Sequence, residues 1–149
     1  MAEVLFYHLS ERTLEQTLPG LLEKCLERDW RVVVQGTVRE RLDVLDALLW
    51  TYNEEGFLPH GMVRDGTEAM QPVWLTDDDA NPNGANVRFM IDAATPPDLA
   101  PYLRGVYIFD GHDEASLAHA RSRWKIEKSA GHTVTYWQQN ARGGWERKA

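Results

Sequence analysis

Apolar and polar positions switch between two periods along this chain, and the switches mark its elements. Residues 3–8 form a short apolar run with aromatic content, which predicts a strand. From Leu14, apolar residues recur at Leu18, Leu21, Leu22, Cys25 and Leu26, the spacing of one helix face. Thr13 stands ahead of them with Gln16 three residues on, a capping-box pattern. Pro19 falls inside the pattern, so the first turn is expected to be distorted, or the helix to start later. Trp30 to Val34 is compact and β-branched and reads as a central strand. Thr37 is placed to cap a second helix whose buried stripe is Leu42, Leu45, Leu48 and Leu49. This β-α-β-α order favours a parallel sheet covered by helices.

Residues 73–76 and 87–93 read as two further strands. The segment between them, Asp77 to Gly84, is dense in turn formers, which suggests a hairpin with a long loop. Residues 105–109 form another strand, followed by a helix from about 113 to 130 that Gly131 ends. Thr133 to Trp137 reads as one more short strand. From Asn140 the chain is rich in glycine and charge and is expected to fray. The expected architecture is a single α/β domain over residues 1–139, with a flexible basic tail at 140–149. It is a three-layer α/β/α fold with a central, mostly parallel, mixed sheet, Rossmann-like but without a nucleotide loop.

The length, 149 residues, supports one domain with one core. No run of about 18 apolar residues predicts a membrane span. The N-terminal residues lack the basic, long apolar pattern of a signal peptide, so a cytoplasmic protein is expected. Net charge is -7 but unevenly spread. Residues 115–149 carry seven Lys/Arg and two acids, a net +5; the other 114 residues carry 9 basic and 21 acidic, a net -12. An acidic body repels duplex DNA, while the basic C-terminal quarter can attract an anionic partner locally.

Most candidate chemistry fails on spacing. Asp79-x-Asn81-x-Asn83-Gly84 starts like a calcium loop, but the twelfth position is Met90, not Glu, and Pro82 disturbs the loop. No phosphate-binding loop, dinucleotide fingerprint or nucleophile elbow is present, and Gly61 and Gly66 are isolated glycines suited to turns. His8, His60, His119 and His132 lack metal-ligand spacing, and no cofactor is expected. Cys25 lies on an apolar helix face, as a core thiol does. Asp110, His112 and Asp113 follow a strand, where an α/β enzyme places an acid or base; the simpler reading is a helix cap.

The helix at 113–130 carries a more pointed pattern. Leu117, Arg121, Trp124, Lys125 and Lys128 fall within one stripe roughly 100° wide. Ala115, Ala118, Ser122 and Ile126 lie opposite and are expected to pack on the sheet. Cations beside a tryptophan and a leucine suit an acidic peptide with an apolar anchor.

Several segments in order resemble the chi subunit of the bacterial DNA polymerase III holoenzyme. They are Phe6-Tyr7, Leu45-Asp46-x-x-Leu49-Trp50, Phe57-Leu58-Pro59-His60, Pro72-Val73-x-Leu75, Arg121-x-x-Trp124-Lys125 and Gly131. The spacing from Trp50 to Phe57-x-Pro59-His60 is the most specific of them. The resemblance implies a non-catalytic α/β subunit of the clamp-loader assembly. It implies binding to the acidic, Phe-ending tail of single-stranded-DNA-binding protein and, in some bacteria, to the psi subunit. Arg121, Trp124, Lys125 and Lys128 match the tail-binding helix, with Leu117 beside them where a basic residue is expected. Trp124 stands where the family usually has tyrosine. Trp50 and Phe57 match the psi-facing patch, and Leu49, Tyr52 and Pro59 extend it.

The expectation is therefore an adaptor that reaches nucleic acid mainly through a protein partner, with no membrane role. One rival is an enzyme using Asp110, His112 and Asp113, which a deep pocket beside that strand would favour. The other is a module that reads single strands through Trp124 and the basic tail.

Overall fold

A computed structural model describes residues 2–51, 61–62, 72–142 and 144–149, without the side chains of 50, 51, 61 and 62. In chain order the elements are β1 (Glu3–Leu9), α1 (Leu14–Glu27), β2 (Val32–Gln35), α2 (Arg39–Thr51), β3 (Gly61–Met62), β4 (Val73–Thr76), β5 (Val87–Met90), β6 (Arg104–Asp110), α3 (Glu114–Ser129), β7 (Thr133–Gln139) and β8 (Trp145–Arg147). The strands form one sheet in the order β3-β4-β2-β5-β6-β1-β7-β8. All the pairings are parallel except β7 with β8. The expected three-layer, mostly parallel α/β domain is what forms.

Alternating side chains along the strands supply both faces of the sheet. One face packs Leu9, Val32, Val34, Val87, Phe89, Val106 and Ile108 against Leu14, Leu18, Leu22 and Cys25 of α1 and Leu42, Leu45 and Leu49 of α2. The other packs Val4, Phe6, Val33, Met90, Tyr107 and Phe109 against Ala120 of α3 and the 94–102 segment. Because β1 and β6 are parallel neighbours and their helices leave to opposite faces, a crevice opens at their C-terminal ends.

Pro19 does not delay α1. The helix starts at Leu14, and its first turn is fixed by the reciprocal capping box of Thr13 and Gln16. Burial of the Pro19 ring with Leu18 and Leu22 offsets the hydrogen bond that its missing N–H forgoes. Thr13→Ala is expected to cost about 1 kcal/mol, a fall of roughly 2–4 °C in Tm measurable by thermal denaturation. Upstream, the Gln139 side-chain oxygen accepts from the amides of Ser10, Glu11 and Arg12, tying the β1–α1 turn to β7.

Other expectations need correction. β2 begins at Val32, not Trp30, because Asp29 takes a left-handed turn (φ 58°) and the Trp30 amide closes on the Cys25 carbonyl. The Thr37 hydroxyl does not serve as the expected cap; it bonds the Asp92 carbonyl, and Val38 supplies the first carbonyl of α2. β4 and β5 make no hairpin: β2 lies between them, parallel to both. Asn83 donates to the Val32 carbonyl, and Arg88 holds the carbonyls of Asp78 and Ala80, so the turn-rich loop is pinned as a crossover. The strand expected to reach residue 93 stops at Met90, since Asp92 and Ala93 both adopt positive φ. Gly61 pairs in β3 and does not form a turn. The segment from Asn140 does not simply fray: Trp145–Arg147 pairs with β7, and Trp145 packs on Tyr7 at 4.5 Å.

Candidate functional site

α3 runs from the cap of Asp113, whose carboxylate accepts from the Ser116 amide at 3.0 Å and hydroxyl at 2.6 Å. Those bonds hold the Asp113 carboxyl below its usual range. The helix ends at Ala130, and Gly131 (φ 88°) turns the chain as expected. Its inner face differs from the expected one. Ala115, Ala118 and Ser122 are exposed, as is Ile126 at 47%. Ala120 and Glu127 are buried instead, with Leu117 and Trp124 packed against the core. The larger apolar groups take the sheet, and polar residues follow them because partners are available there. Arg123 donates to the Tyr107 hydroxyl at 2.9 Å and pairs with Glu127 at 3.1 Å. Burial, and then the Glu127 charge, raises the Tyr107 pKa.

This rotation sets Trp124 at the rim of the helix–sheet seam. Its ring meets Phe6 edge-on at 5.5 Å and Tyr136 at 6.0 Å. Arg121, Lys125 and Lys128 are exposed around it, and the Lys128 ammonium lies 5.7 Å from the ring centroid. Leu117 is half-buried about two turns before Trp124. The stripe thus forms a half-buried aromatic ledge with a cationic margin. Tyr136 and His8, which the sequence did not assign to this stripe, complete it: the Tyr136 hydroxyl is 2.6 Å from His8 Nδ1, and Arg121 acts electrostatically on Tyr136. Their signal was only that β1 and β7 are neighbours, which a single sequence does not display.

Burial and the nearby His112 lower the His8 pKa. The folded state therefore binds that proton less readily than the unfolded chain. This share of stability is complete above about pH 6.5 and declines as pH falls through the folded pKa. His8→Gln should consequently lose its Tm deficit against wild type between about pH 8 and about pH 5; an unchanged deficit would contradict the account.

A second feature lies at the crevice between β1 and β6. A cavity of about 350 Å³ is lined by residues including Arg12, Glu15, Arg41, Asp92, Asp110, His112 and Ser116. This is the pocket that the enzyme reading asked for. Most of its polar groups are nevertheless engaged with neighbouring groups, though not the Arg12 side chain. Asp110 accepts from the His112 amide at 2.8 Å, and His112 Nε2 donates to the Ser10 carbonyl at 2.9 Å. Arg41 pairs with both Glu15 and Asp92. Asp113 is the helix cap and does not line the cavity. Among the described residues, no group of three or more His, Cys, Asp or Glu is arranged to hold a metal.

Comparison with known proteins decides the family. The family described as DNA polymerase III chi subunit, HolC, matches residues 1–135. The chain belongs to the DNA polymerase III chi subunit family. A probable DNA polymerase III subunit chi from Rickettsia prowazekii (strain Madrid E) is 34% identical over 104 residues, covering 70% of this chain. The match spans 61% of that relative's length. The family's description names a subunit of DNA polymerase III.

The second patch expected of a chi subunit is only partly visible. Leu49 is 1% exposed and packs in the core with Leu42 and Leu45, so it offers no docking surface. Its place in the 3.6-residue stripe of α2 already pointed inward. The Trp50 side chain and Tyr52, Phe57 and Pro59 lie outside the described residues. No helix among the described residues is long and apolar enough to cross a membrane.

Proposed function

We propose that this chi-family chain is a non-catalytic accessory subunit of the replicative polymerase. It binds the acidic C-terminal tail of single-stranded-DNA-binding protein and links it to the clamp loader, through psi where that subunit exists. The observation that carries this reading is Trp124, half-buried against Phe6 and Tyr136 and ringed by Arg121, Lys125 and Lys128. A tail with a terminal carboxylate and an aromatic last residue requires those two elements side by side. Arg121 takes the carboxylate, Lys125 and Lys128 the preceding acids, and Leu117 and Trp124 wall the aromatic end. The tail is ordered on binding, so affinity is roughly micromolar. A psi or clamp-loader surface is assigned to Trp50, Tyr52, Phe57 and Pro59, without Leu49.

Titration with an acidic peptide ending in Pro-Phe, and with the same peptide lacking the Phe, tests the reading by tryptophan fluorescence. Saturable binding of the first and not the second is expected. Equal binding of both, or binding of neither, would contradict it.

A further inference from the structure

The charge of this protein is segregated by surface as well as by sequence, and one groove on the α1 face shows it most clearly. Two cavities, of about 210 and 190 Å³, adjoin one another beside α1, with Leu21, Lys24 and Trp145 lining both. Among the described residues, the charged ones that line them are Arg12, Lys24, Arg28 and Arg104, with no carboxylate, in a chain of net charge -7. Arg12 and Arg28 stand at opposite ends of α1, about 24 Å apart at 1.5 Å per residue. Arg12, Lys24 and Arg28 are exposed, and none is ion-paired among the described residues. Arg104 is held by Glu3 at 3.1 Å.

Ring surfaces lie between these cations. Trp30 carries Arg28 at 4.9 Å and Arg104 at 5.0 Å from its centroid. Tyr7 and Trp145 pack together at 4.5 Å over a floor that includes Leu21, Phe89 and Val106. The larger cavity has room for about seven waters. That suits one planar ring and falls below the size of pockets for larger ligands. α3 and its basic margin are on the opposite face of the sheet, so the groove is separate from the ledge around Trp124.

We propose that this groove binds single-stranded nucleic acid directly, with phosphates along Arg12, Lys24 and Arg28 and a base stacked into the cavity beside Trp30 and Trp145. Cations spread along a helix fit a repeating charge, whereas a single terminal carboxylate asks for cations converging on one socket. Aromatic surfaces between the cations are what unpaired bases require. The nucleic acid contact is thus a property of this chain itself, in addition to any contact made through a bound protein.

The test is fluorescence anisotropy of a labelled short oligothymidylate with the full chain, at low and at physiological salt. Salt-sensitive binding is expected, weakened about tenfold or more by Lys24→Glu with Arg28→Glu and unchanged by Arg121→Glu. Should the double charge reversal unfold the chain by circular dichroism, Lys24→Gln with Arg28→Gln decides in its place, again with loss expected. Absence of binding at low salt, or binding that either folded double variant retains in full, overturns the proposal. So does an acidic peptide that loses binding in the double variant while the oligothymidylate never binds, which would make the occupant a polypeptide.

Discussion

Arg88→Ala is expected to destabilise the fold by about 3–5 kcal/mol, the largest single effect outside the apolar core. The residue is fully buried at mid-strand in β5. Its guanidinium donates to Gln35 Oε1 at 2.9 Å, to the carbonyls of Ala80 and Asp78 at 2.9 and 2.7 Å, and to the Tyr102 hydroxyl at 3.1 Å. Truncation leaves those acceptors without their donor and opens a cavity, and each unsatisfied buried group costs about 1–3 kcal/mol. The damage also has a topological component. Arg88 fastens the 77–86 loop, the connection that carries the chain past β2 from β4 to β5. A Tm fall of about 10 °C is expected at this chain length. Arg88→Met should recover only the packing share, and an Arg88→Ala protein within 2 °C of wild type would refute the assignment.

Arg121→Glu is expected to weaken the acidic peptide by about 100-fold or more while leaving Tm within about 2 °C. The wild-type guanidinium is exposed on α3, so its removal costs little to the fold. A charge-assisted bond to a carboxylate contributes about 1.5–3 kcal/mol, and reversing the sign adds repulsion to that loss. Trp124→Ala behaves differently. It removes a ring packed on Phe6 and Tyr136, so binding and stability should fall together. Raising salt should weaken the wild-type complex, because the steering charges are near the surface. A peptide that binds Arg121→Glu as well as wild type would move the site off this helix.

Much of the frame was legible because one period dominates each segment. The stripe of α1 and its capping box located the helix despite Pro19, and the apolar runs Val73–Leu75 in β4 and Val106–Phe109 in β6 are those of strands buried on both sides. Illegible features share a physical cause: they depend on partners distant in sequence. α3 turns Arg123 and Glu127 inward because Tyr107 of β6 receives the arginine, so its buried stripe reads as polar. Trp145 sits in a segment rich in glycine and charge, and only Tyr7, on a strand two positions away in the sheet, explains why it pairs. A buried Arg88 looks like any surface cation until the carbonyls that it serves are in place. At the candidate site, Arg121, Trp124, Lys125 and Lys128 were visible as a stripe, but Tyr136 and His8 enter only through the β1–β7 pairing. Leu49 was assigned to a docking patch by adjacency to Trp50, whereas helical period places it in the core.

The central claim is that an acidic peptide ending in phenylalanine occupies the ledge between α3 and β7. Chemical-shift mapping of the nitrogen-labelled chain during peptide titration addresses it most directly. Saturable shifts are expected at the Trp124 indole, at Tyr136 and along Leu117 to Lys128, with Lys24, Trp30 and Trp145 unmoved. Shifts confined to Lys24, Trp30 and Trp145, or none along α3 at saturating peptide, would contradict it.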